Sequence, residues 1–191
     1  MKIGLLALQG DYFKHQQMLE KLQVETVFVK TKEQLEQCDG LIIPGGESTT
    51  FSLLLHKHDL WNPLQVYARK KPVFGTCAGM IILSNKVNGG VLETLGAIDI
   101  EVARNAYGRQ VDSFIDTIRL SLGDDTTEFE GVFIRAPQIK KMGENVRPLA
   151  WHADNVVMAE SGNVVVASFH PELSNNPAVH AYFCRKIENS Q

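Results

Sequence analysis

Residues 72–84 read PVFGTCAGMIILS and carry the clearest indication of the fold class. The apolar run at 72–76 predicts a buried strand, and the residues at 78–84 predict a helix that follows it with almost no loop. Cys77 occupies the junction between the two elements. Because a strand that passes into a helix is the repeating unit of parallel sheets, this stretch predicts an α/β protein.

The chain before this unit alternates between strand and helix in the same way. Apolar runs predict strands at 2–8, 24–29 and 41–44, and helical patterns lie at 12–22, 32–37, 49–56 and 63–69. This alternation implies βαβ units and a parallel sheet. Right-handed crossovers then place helices on both faces of the sheet.

The second half of the chain is richer in strand patterns. Strands are predicted at 97–103, 116–120, 131–135, 145–150, 155–160 and 163–168, and a closing helix is predicted at 177–187. We therefore expect one domain over residues 1–191. Its fold class is three-layer α/β, with a flavodoxin-like mixed but mostly parallel sheet and later strands partly antiparallel at one edge.

Composition and charge narrow the class of protein. The chain has 191 residues, 44% of them hydrophobic, and a formal net charge of -3, which argues against a general nucleic-acid binder. No apolar run is long enough for a membrane-spanning helix, and no signal peptide is visible. Three widely spaced cysteines fit a reducing compartment better than a disulfide framework, so we expect a cytoplasmic protein.

Cys77 has the sequence context of a nucleophile. It lies between Gly75 and Gly79 in a nucleophile-elbow pattern, with cysteine in place of serine. The following helix start stabilises negative charge on sulfur, and the Ala78 N–H points to where an oxyanion forms. A buried structural cysteine is the alternative, and we keep it for the other two cysteines, which lack this context.

His170 and Glu172 are candidates for the base that such a cysteine needs. They follow the predicted strand 163–168, and Cys77 follows another strand, so all three side chains are expected at one rim of the sheet. Glu172 could then hold the His170 imidazole in one orientation, as in a catalytic triad. The other histidines are expected to be ordinary surface or helix-end residues, and no metal site is predicted: they are His15, His56, His58, His152 and His180.

Residues 44–50, which read PGGESTT, form a third candidate segment after a strand. Gly45 and Gly46 can turn backbone N–H groups toward an oxyanion at low steric cost. The segment lacks the GxxxxGK[ST] arrangement, so it is not interpreted as a nucleotide-binding loop. A simple turn is the alternative.

Together these motifs resemble the class I (triad) glutamine amidotransferases. The resemblance rests on GTCAG at 75–79, PGGEST at 44–49 and HPE at 170–172, in this characteristic set. Three further stretches make it similar to the glutaminase subunits of pyridoxal 5'-phosphate synthase: LQG at 8–10, RNAYGRQ at 104–110 and FIRAP at 133–137. The resemblance covers residues 2 to about 187.

The resemblance implies a role for each matching residue. It makes Cys77 the nucleophile, completes the triad with His170 and Glu172, and makes the N–H groups of Gly46 and Ala78 the oxyanion donors. Residues implied to line or border the glutamine site are Gly45, Gly46, Glu47, Arg104, Ile134 and Arg135. An arginine suits the carboxylate of a free amino acid because it can pair with it bidentately. The alternative is that Arg104 or Arg135 forms an ordinary surface salt bridge.

A partner is expected because free ammonia is mostly protonated at neutral pH and must be delivered directly. The resemblance implies a (β/α)8-barrel pyridoxal 5'-phosphate synthase subunit in a large assembly, with no metal and no organic cofactor on this chain. Three alternatives stay open at this point. They are a glutaminase subunit of another pathway, such as imidazole glycerol phosphate synthesis, a cysteine peptidase or hydrolase on the same fold, and a non-catalytic binding subunit.

Overall fold

The computed structural model describes residues 1–104, 113–123 and 125–190. Its strands are β1 (Lys2–Leu6), β2 (Glu25–Val29), β3 (Gly40–Ile43), β4 (Val73–Thr76), β5 (Ser84–Asn88), β6 (Ile98–Ala103), β7 (Ser113–Ser121), β8 (Thr126–Ile134), β9 (Gln138–Met142), β10 (Arg147–His152), β11 (Asn155–Ser161) and β12 (Val164–Ala167). Its helices are α1 (Tyr12–Lys21), α2 (Lys32–Glu36), α3 (Ser48–Lys57), α4 (Trp61–Ala68), α5 (Ala78–Leu83) and α6 (Ala178–Glu188), and a 3₁₀ turn spans Pro171–Leu173.

Nine strands form the main sheet, in the order β2-β1-β3-β4-β12-β11-β10-β7-β8. The first five are parallel to one another, and the remaining four join the sheet by antiparallel pairing. This arrangement confirms the predicted α/β fold, with its mixed sheet and an antiparallel edge. In the parallel half, the predicted bounds of the elements agree with the structure to within two residues.

Two apolar clusters sandwich the main sheet, because successive side chains of a strand point to opposite faces. In β12, Val164 and Val166 join the cluster formed with α2 to α5, whereas Val165 and Ala167 join the cluster formed with α1 and α6. Helices therefore cover both faces, as predicted. Within the described ranges, no helix is long and apolar enough to cross a membrane.

A second sheet of three strands, in the order β5-β6-β9, corrects the sequence-based picture. The predicted helix 78–84 ends at Leu83, because Ser84 turns to an extended conformation with ψ 160° and begins β5. The predicted strand 97–103 joins this small sheet as β6 and not the central one. β9 was not predicted, since its residues are mostly polar and partly exposed.

The main sheet brings the chemical motifs to one edge. β1, β3, β4 and β12 are parallel neighbours, so their carboxyl ends lie side by side. Cys77 follows β4, the PGGEST segment follows β3, and His170 comes shortly after β12. Ligand sites of open α/β sheets form at such ends.

Candidate active site

Cys77 lies at a sharp turn between β4 and α5. Its backbone has φ 47° and ψ -103°, a conformation that L-residues rarely adopt. The Cys77 N–H donates to Ala167 O at 2.8 Å, which ties the turn to β12. A side chain at Gly75 would collide with the backbone of Gly79, and a side chain at Gly79 would collide with the backbone of Ile43, so these glycines let α5 pack closely against β4 and β3.

His170 and Glu172 form a hydrogen-bonded pair beside this turn. His170 Nδ1 lies 2.7 Å from Glu172 Oε1, and both side chains are largely buried. The His170 N–H donates to Val132 O at 2.8 Å, and the 3₁₀ turn Pro171–Leu173 returns the carboxylate toward the ring. An ionised carboxylate can only accept, so Nδ1 carries a proton and donates it to Glu172.

The electrostatics favour a charged pair. Burial lowers the pKa of His170, but interactions with Cys77 and Glu172 outweigh it and raise the pKa to about 10. Burial likewise raises the pKa of Glu172, but His15 and the hydrogen bond from His170 outweigh it and lower the pKa to about 2. No described residue makes a hydrogen bond of ordinary geometry with His170 Nε2. Cys77 therefore raises the pKa of His170 through its proximity to the ring.

The PGGEST segment packs against His170. A Cβ at residue 45 would collide with the His170 ring, so Gly45 permits the close approach of the loop. Gln9, at the end of the first strand region, braces the loop because its Nε2 donates to Glu47 O at 2.6 Å. The Glu47 carboxylate caps α3, where it accepts from Thr49 N at 3.1 Å and Thr50 N at 2.7 Å.

One cavity of about 380 Å³ collects nearly all of the predicted site residues. Its predicted members are Gly45, Gly46, Glu47, Cys77, Arg104, Ile134, Arg135, His170 and Glu172. Ala78 is the first residue of α5, so its N–H precedes the hydrogen-bond ladder of that helix. Four further residues line the cavity but were not predicted as site residues from the sequence: Gly10, Asp11, Ser48 and Ile81.

Two arginines and an apolar residue border this cavity. Arg104 Nη1 donates to Thr49 Oγ1 at 3.2 Å and lies 3.4 Å from Ser48 Oγ. Ile134 O lies 3.8 Å from Cys77 Sγ, and the next residue, Arg135, has a positive φ of 45°. The remainder of the RNAYGRQ motif, residues 105–110, lies outside the described residues.

Known proteins resemble this chain over nearly its whole length. The SNO glutamine amidotransferase family matches residues 5–189. The chain belongs to this family. A pyridoxal 5'-phosphate synthase subunit PdxT from Thermosipho africanus is 47% identical over 98% of this chain and 100% of its own length. PdxT from Brevibacillus brevis is also 47% identical, over 98% of both chains. A crystal structure of a glutamine amidotransferase is 40% identical, with a TM-score of 0.91 and coverage of 97% of this chain and 98% of that one.

Membership of this family confirms the predicted resemblance and the predicted enzyme class. The chain is a glutamine amidotransferase, an enzyme that acts on the side-chain amide of glutamine. The cysteine peptidase and the non-catalytic subunit are therefore not supported. Among the described residues, no group of three or more His, Cys, Asp or Glu side chains could hold a metal ion.

Two histidines of the amidotransferase correct the sequence analysis. His15 and His180 were expected at the surface or at helix ends, but both side chains are fully buried. His15 lies beside Glu172 and Thr76, and His180 lies beside His15. Helical spacing could have revealed this, because His15 lies three and four residues before the buried Met18 and Leu19. His180 likewise lies three, four and seven residues before buried members of α6.

Proposed function

We propose that this amidotransferase is the glutaminase subunit of a pyridoxal 5'-phosphate synthase. In this role it hydrolyses L-glutamine to L-glutamate and ammonia through Cys77, His170 and Glu172. The observation that carries the proposal is the pairing of His170 Nδ1 with Glu172 Oε1 at 2.7 Å. This pairing leaves Nε2 without a hydrogen-bond partner among the described residues, on a ring that lines the same cavity as Cys77. The turn at Cys77, with its positive φ, supports the role of nucleophile.

The first half of the reaction is acyl transfer to sulfur. The Cys77 thiolate forms a bond to the amide carbon, and the carbonyl electron pair moves onto oxygen. The N–H groups of Gly46 and Ala78 stabilise that oxyanion. The carbon–nitrogen bond then breaks while His170 Nε2 gives its proton to the nitrogen, so that ammonia leaves and a γ-glutamyl thioester remains.

The second half is hydrolysis of the thioester. Neutral His170 takes a proton from water, and the water oxygen attacks the thioester carbon. Collapse of this intermediate breaks the carbon–sulfur bond, which regenerates the thiolate and the imidazolium and releases glutamate. Glu172 stays ionised throughout and stabilises the charged ring. The charged state of His170 supplies the positive neighbour that a thiolate requires.

Residues at the rim of the cavity bind glutamine in this proposal. Arg104 and Arg135 are the cations at this rim and suit the α-carboxylate of the amino acid. Ile134 lines the cavity and places its backbone carbonyl 3.8 Å from Cys77 Sγ, and Gly45 and Gly46 provide backbone donors. Because its carboxylate already caps α3, Glu47 contributes through its backbone in this proposal.

The proposed partner is a (β/α)8-barrel synthase subunit that receives the ammonia. The names of the relatives support a synthase subunit, since the PdxT proteins of Thermosipho africanus and Brevibacillus brevis are subunits of pyridoxal 5'-phosphate synthase by name. The barrel architecture of the partner is part of the proposal. The described cysteines are all free thiols, which suits a reducing compartment, and we place the complex in the cytoplasm.

The test is ammonia release from glutamine, measured for the chain alone and with a barrel-type pyridoxal 5'-phosphate synthase subunit. We expect the subunit to stimulate release, and Cys77→Ala to abolish it in both conditions. Stimulation by an imidazole glycerol phosphate synthase subunit alone would overturn the assigned pathway. Turnover by Cys77→Ala at the wild-type rate would overturn the assigned chemistry.

A further inference from the structure

A buried pair of histidines lies beneath the proposed triad. His15 of α1 and His180 of α6 are each 0% exposed, and His15 Nδ1 lies 2.9 Å from His180 Nε2. The two residues are 165 positions apart in sequence, so the pair exists only in the folded chain. Burying two imidazoles next to each other is costly unless their nitrogens are satisfied.

The pair is joined to the triad through Glu172. His15 Nε2 lies 3.4 Å from Glu172 Oε2, the carboxylate oxygen that His170 does not use. The same nitrogen lies 3.3 Å from the hydroxyl oxygen of Thr76, the residue before Cys77. The side chains thus form one line, from His180 through His15 and Glu172 to His170.

One arrangement of protons gives both imidazole N–H groups of this line an acceptor. If His15 carried its proton on Nδ1, its Nε2 lone pair would face the Glu172 carboxylate, and His180 Nδ1 would be a buried donor without a partner. If His180 donates from Nε2 instead, His15 Nδ1 accepts and His15 Nε2–H points to Glu172. Then the His15 Nε2–H has Thr76 Oγ1 as its hydrogen-bond acceptor at 3.3 Å, with Glu172 Oε2 at 3.4 Å beside it. The atoms left without a hydrogen-bond partner, His180 Nδ1 and Glu172 Oε2, are then both acceptors.

Burial disfavours the charged form of both imidazoles. Burial lowers the pKa of His15 and lowers that of His180 to about 3. The titratable groups that face Glu172 are His170 from its own segment and His15 from α1, with His180 of α6 behind His15. Asp11 and Lys21 of the α1 region act on the pair from farther away, and Cys77 acts on His170.

We propose that His15 and His180 are positioning residues for glutamine hydrolysis. His180 holds the His15 ring so that its Nε2–H lies 3.4 Å from Oε2, where its positive end stabilises the ionised carboxylate in a buried site and leaves Oε1 for His170. The inference rests on the proposed function, because it assigns Glu172 the role of orienting His170. It adds that His15 and His180 support Glu172 from Oε2, the oxygen that His170 does not use.

Two matched variants of His15 separate positioning from packing. His15→Gln places an amide near the former Nε2 and can still donate to Glu172, whereas His15→Asn places its amide near the former Nδ1, too short to reach. In the complex with the synthase subunit, we expect His15→Asn to lower kcat roughly 10- to 100-fold, with the KM for glutamine within about twofold. His15→Gln should retain most of the activity, and His180→Leu should fall between them.

The pH profile supplies a readout that a purely structural role would not move. Without the donor from His15, the pKa of Glu172 rises, so the acid limb of kcat should shift to higher pH in His15→Asn but not in His15→Gln. The exposed His58→Gln is the control and should match the wild type. Equal activity and equal profiles for the Asn and Gln variants would overturn the proposal.

A measurement without glutamine keeps this inference separate from the proposed function. The rate of Cys77 alkylation by iodoacetamide, mapped by peptide mass spectrometry against pH, reports on the charged state of the Cys77–His170 pair. We expect its acid limb to shift in His15→Asn and to be restored in His15→Gln. A wild type that releases no ammonia would contradict the proposed function, whereas an unshifted alkylation profile in His15→Asn would contradict the positioning role.

Discussion

The backbone conformation of Cys77 fixes the position of its side chain. A non-glycine residue at φ 47° and ψ -103° stores strain of about 1–3 kcal/mol, which the surrounding structure must hold. The Cys77 N–H bond to Ala167 O and the close packing of Gly75 against Gly79 supply that support. The sulfur is thereby fixed at the start of a helix and beside His170.

Gly45→Ala tests the close approach of the loop to His170. The added Cβ would collide with the imidazole ring, and a displacement near 1 Å can cost about 100-fold in rate. We expect kcat for ammonia release to fall by roughly 10- to 100-fold while the protein stays folded. Gly90→Ala is the matched control, since nothing lies within 4 Å of its added Cβ. Equal rates for the two variants would contradict the contact.

The residues of the site differ in how far the sequence reveals them. Cys77 and His170 were predictable because each follows a strand within a short motif. His15 and His180 were not, because their partners lie far away in the chain and only helical spacing hints at their burial. Polar residues on the apolar side of a helix are easily assigned to the wrong face when the partner is unknown.

At the scale of elements, the parallel half of the sheet is predictable because each strand is a short apolar run separated by a helix. The small sheet is not, because β5 follows α5 without a loop and β9 carries mostly polar side chains. β8 begins at Thr126, five residues before the prediction, since its first half is exposed and lacks an apolar run. Exposed strand ends are specified by pairing with a neighbour, here β7, and not by composition.

Glu47→Ala tests the link between helix α3 and the loop. Hydrogen bonds from Thr50 and Thr49 outweigh partial burial and lower the pKa of Glu47, as expected for a carboxylate at a helix start. Removing this cap should lower the free energy of unfolding by about 1 kcal/mol and also reduce ammonia release, because the cap orients the loop after Gly46. Chemical denaturation and the activity assay measure the two effects.

Thr31→Ala provides the comparison for this prediction. Thr31 caps α2 through a reciprocal capping box with Gln34 and does not line the cavity. Its loss should also cost about 1 kcal/mol but leave the rate of ammonia release unchanged. A Glu47→Ala protein that loses stability alone, like Thr31→Ala, would show that the cap has no part in the loop geometry.

For the whole molecule, the buried titratable groups set the pH range of stability. His170 has a raised pKa of about 10, so its stabilisation is complete below its ordinary value of 6.5 and is lost as pH rises through 10. Glu172 has a lowered pKa of about 2, so its stabilisation is present above 4.5 and is lost as pH falls toward 2. The folded state should therefore be destabilised in both acid and alkali.

His180 contributes a further loss of folding stability as the pH falls. Its folded pKa of about 3 lies below its ordinary value of 6.5, so between these values the unfolded chain binds a proton that the folded chain does not. His180→Leu should reduce the fall in the free energy of unfolding across this window by up to about 1.4 kcal/mol per pH unit. Denaturation at a series of pH values checks this, with His58→Leu as an exposed control. An unchanged slope in His180→Leu would contradict the assignment.

Cys77 is the proposed nucleophile for the glutamine amide. A glutamine analogue with a reactive diazoketone in place of the amide should form a covalent bond with this residue, and peptide mass spectrometry locates the label. We predict labelling of Cys77, suppressed by glutamine, abolished in Cys77→Ala and slowed in His170→Ala. Labelling of Cys38 or Cys184 with Cys77 unmodified, while the enzyme loses its activity, would contradict the account.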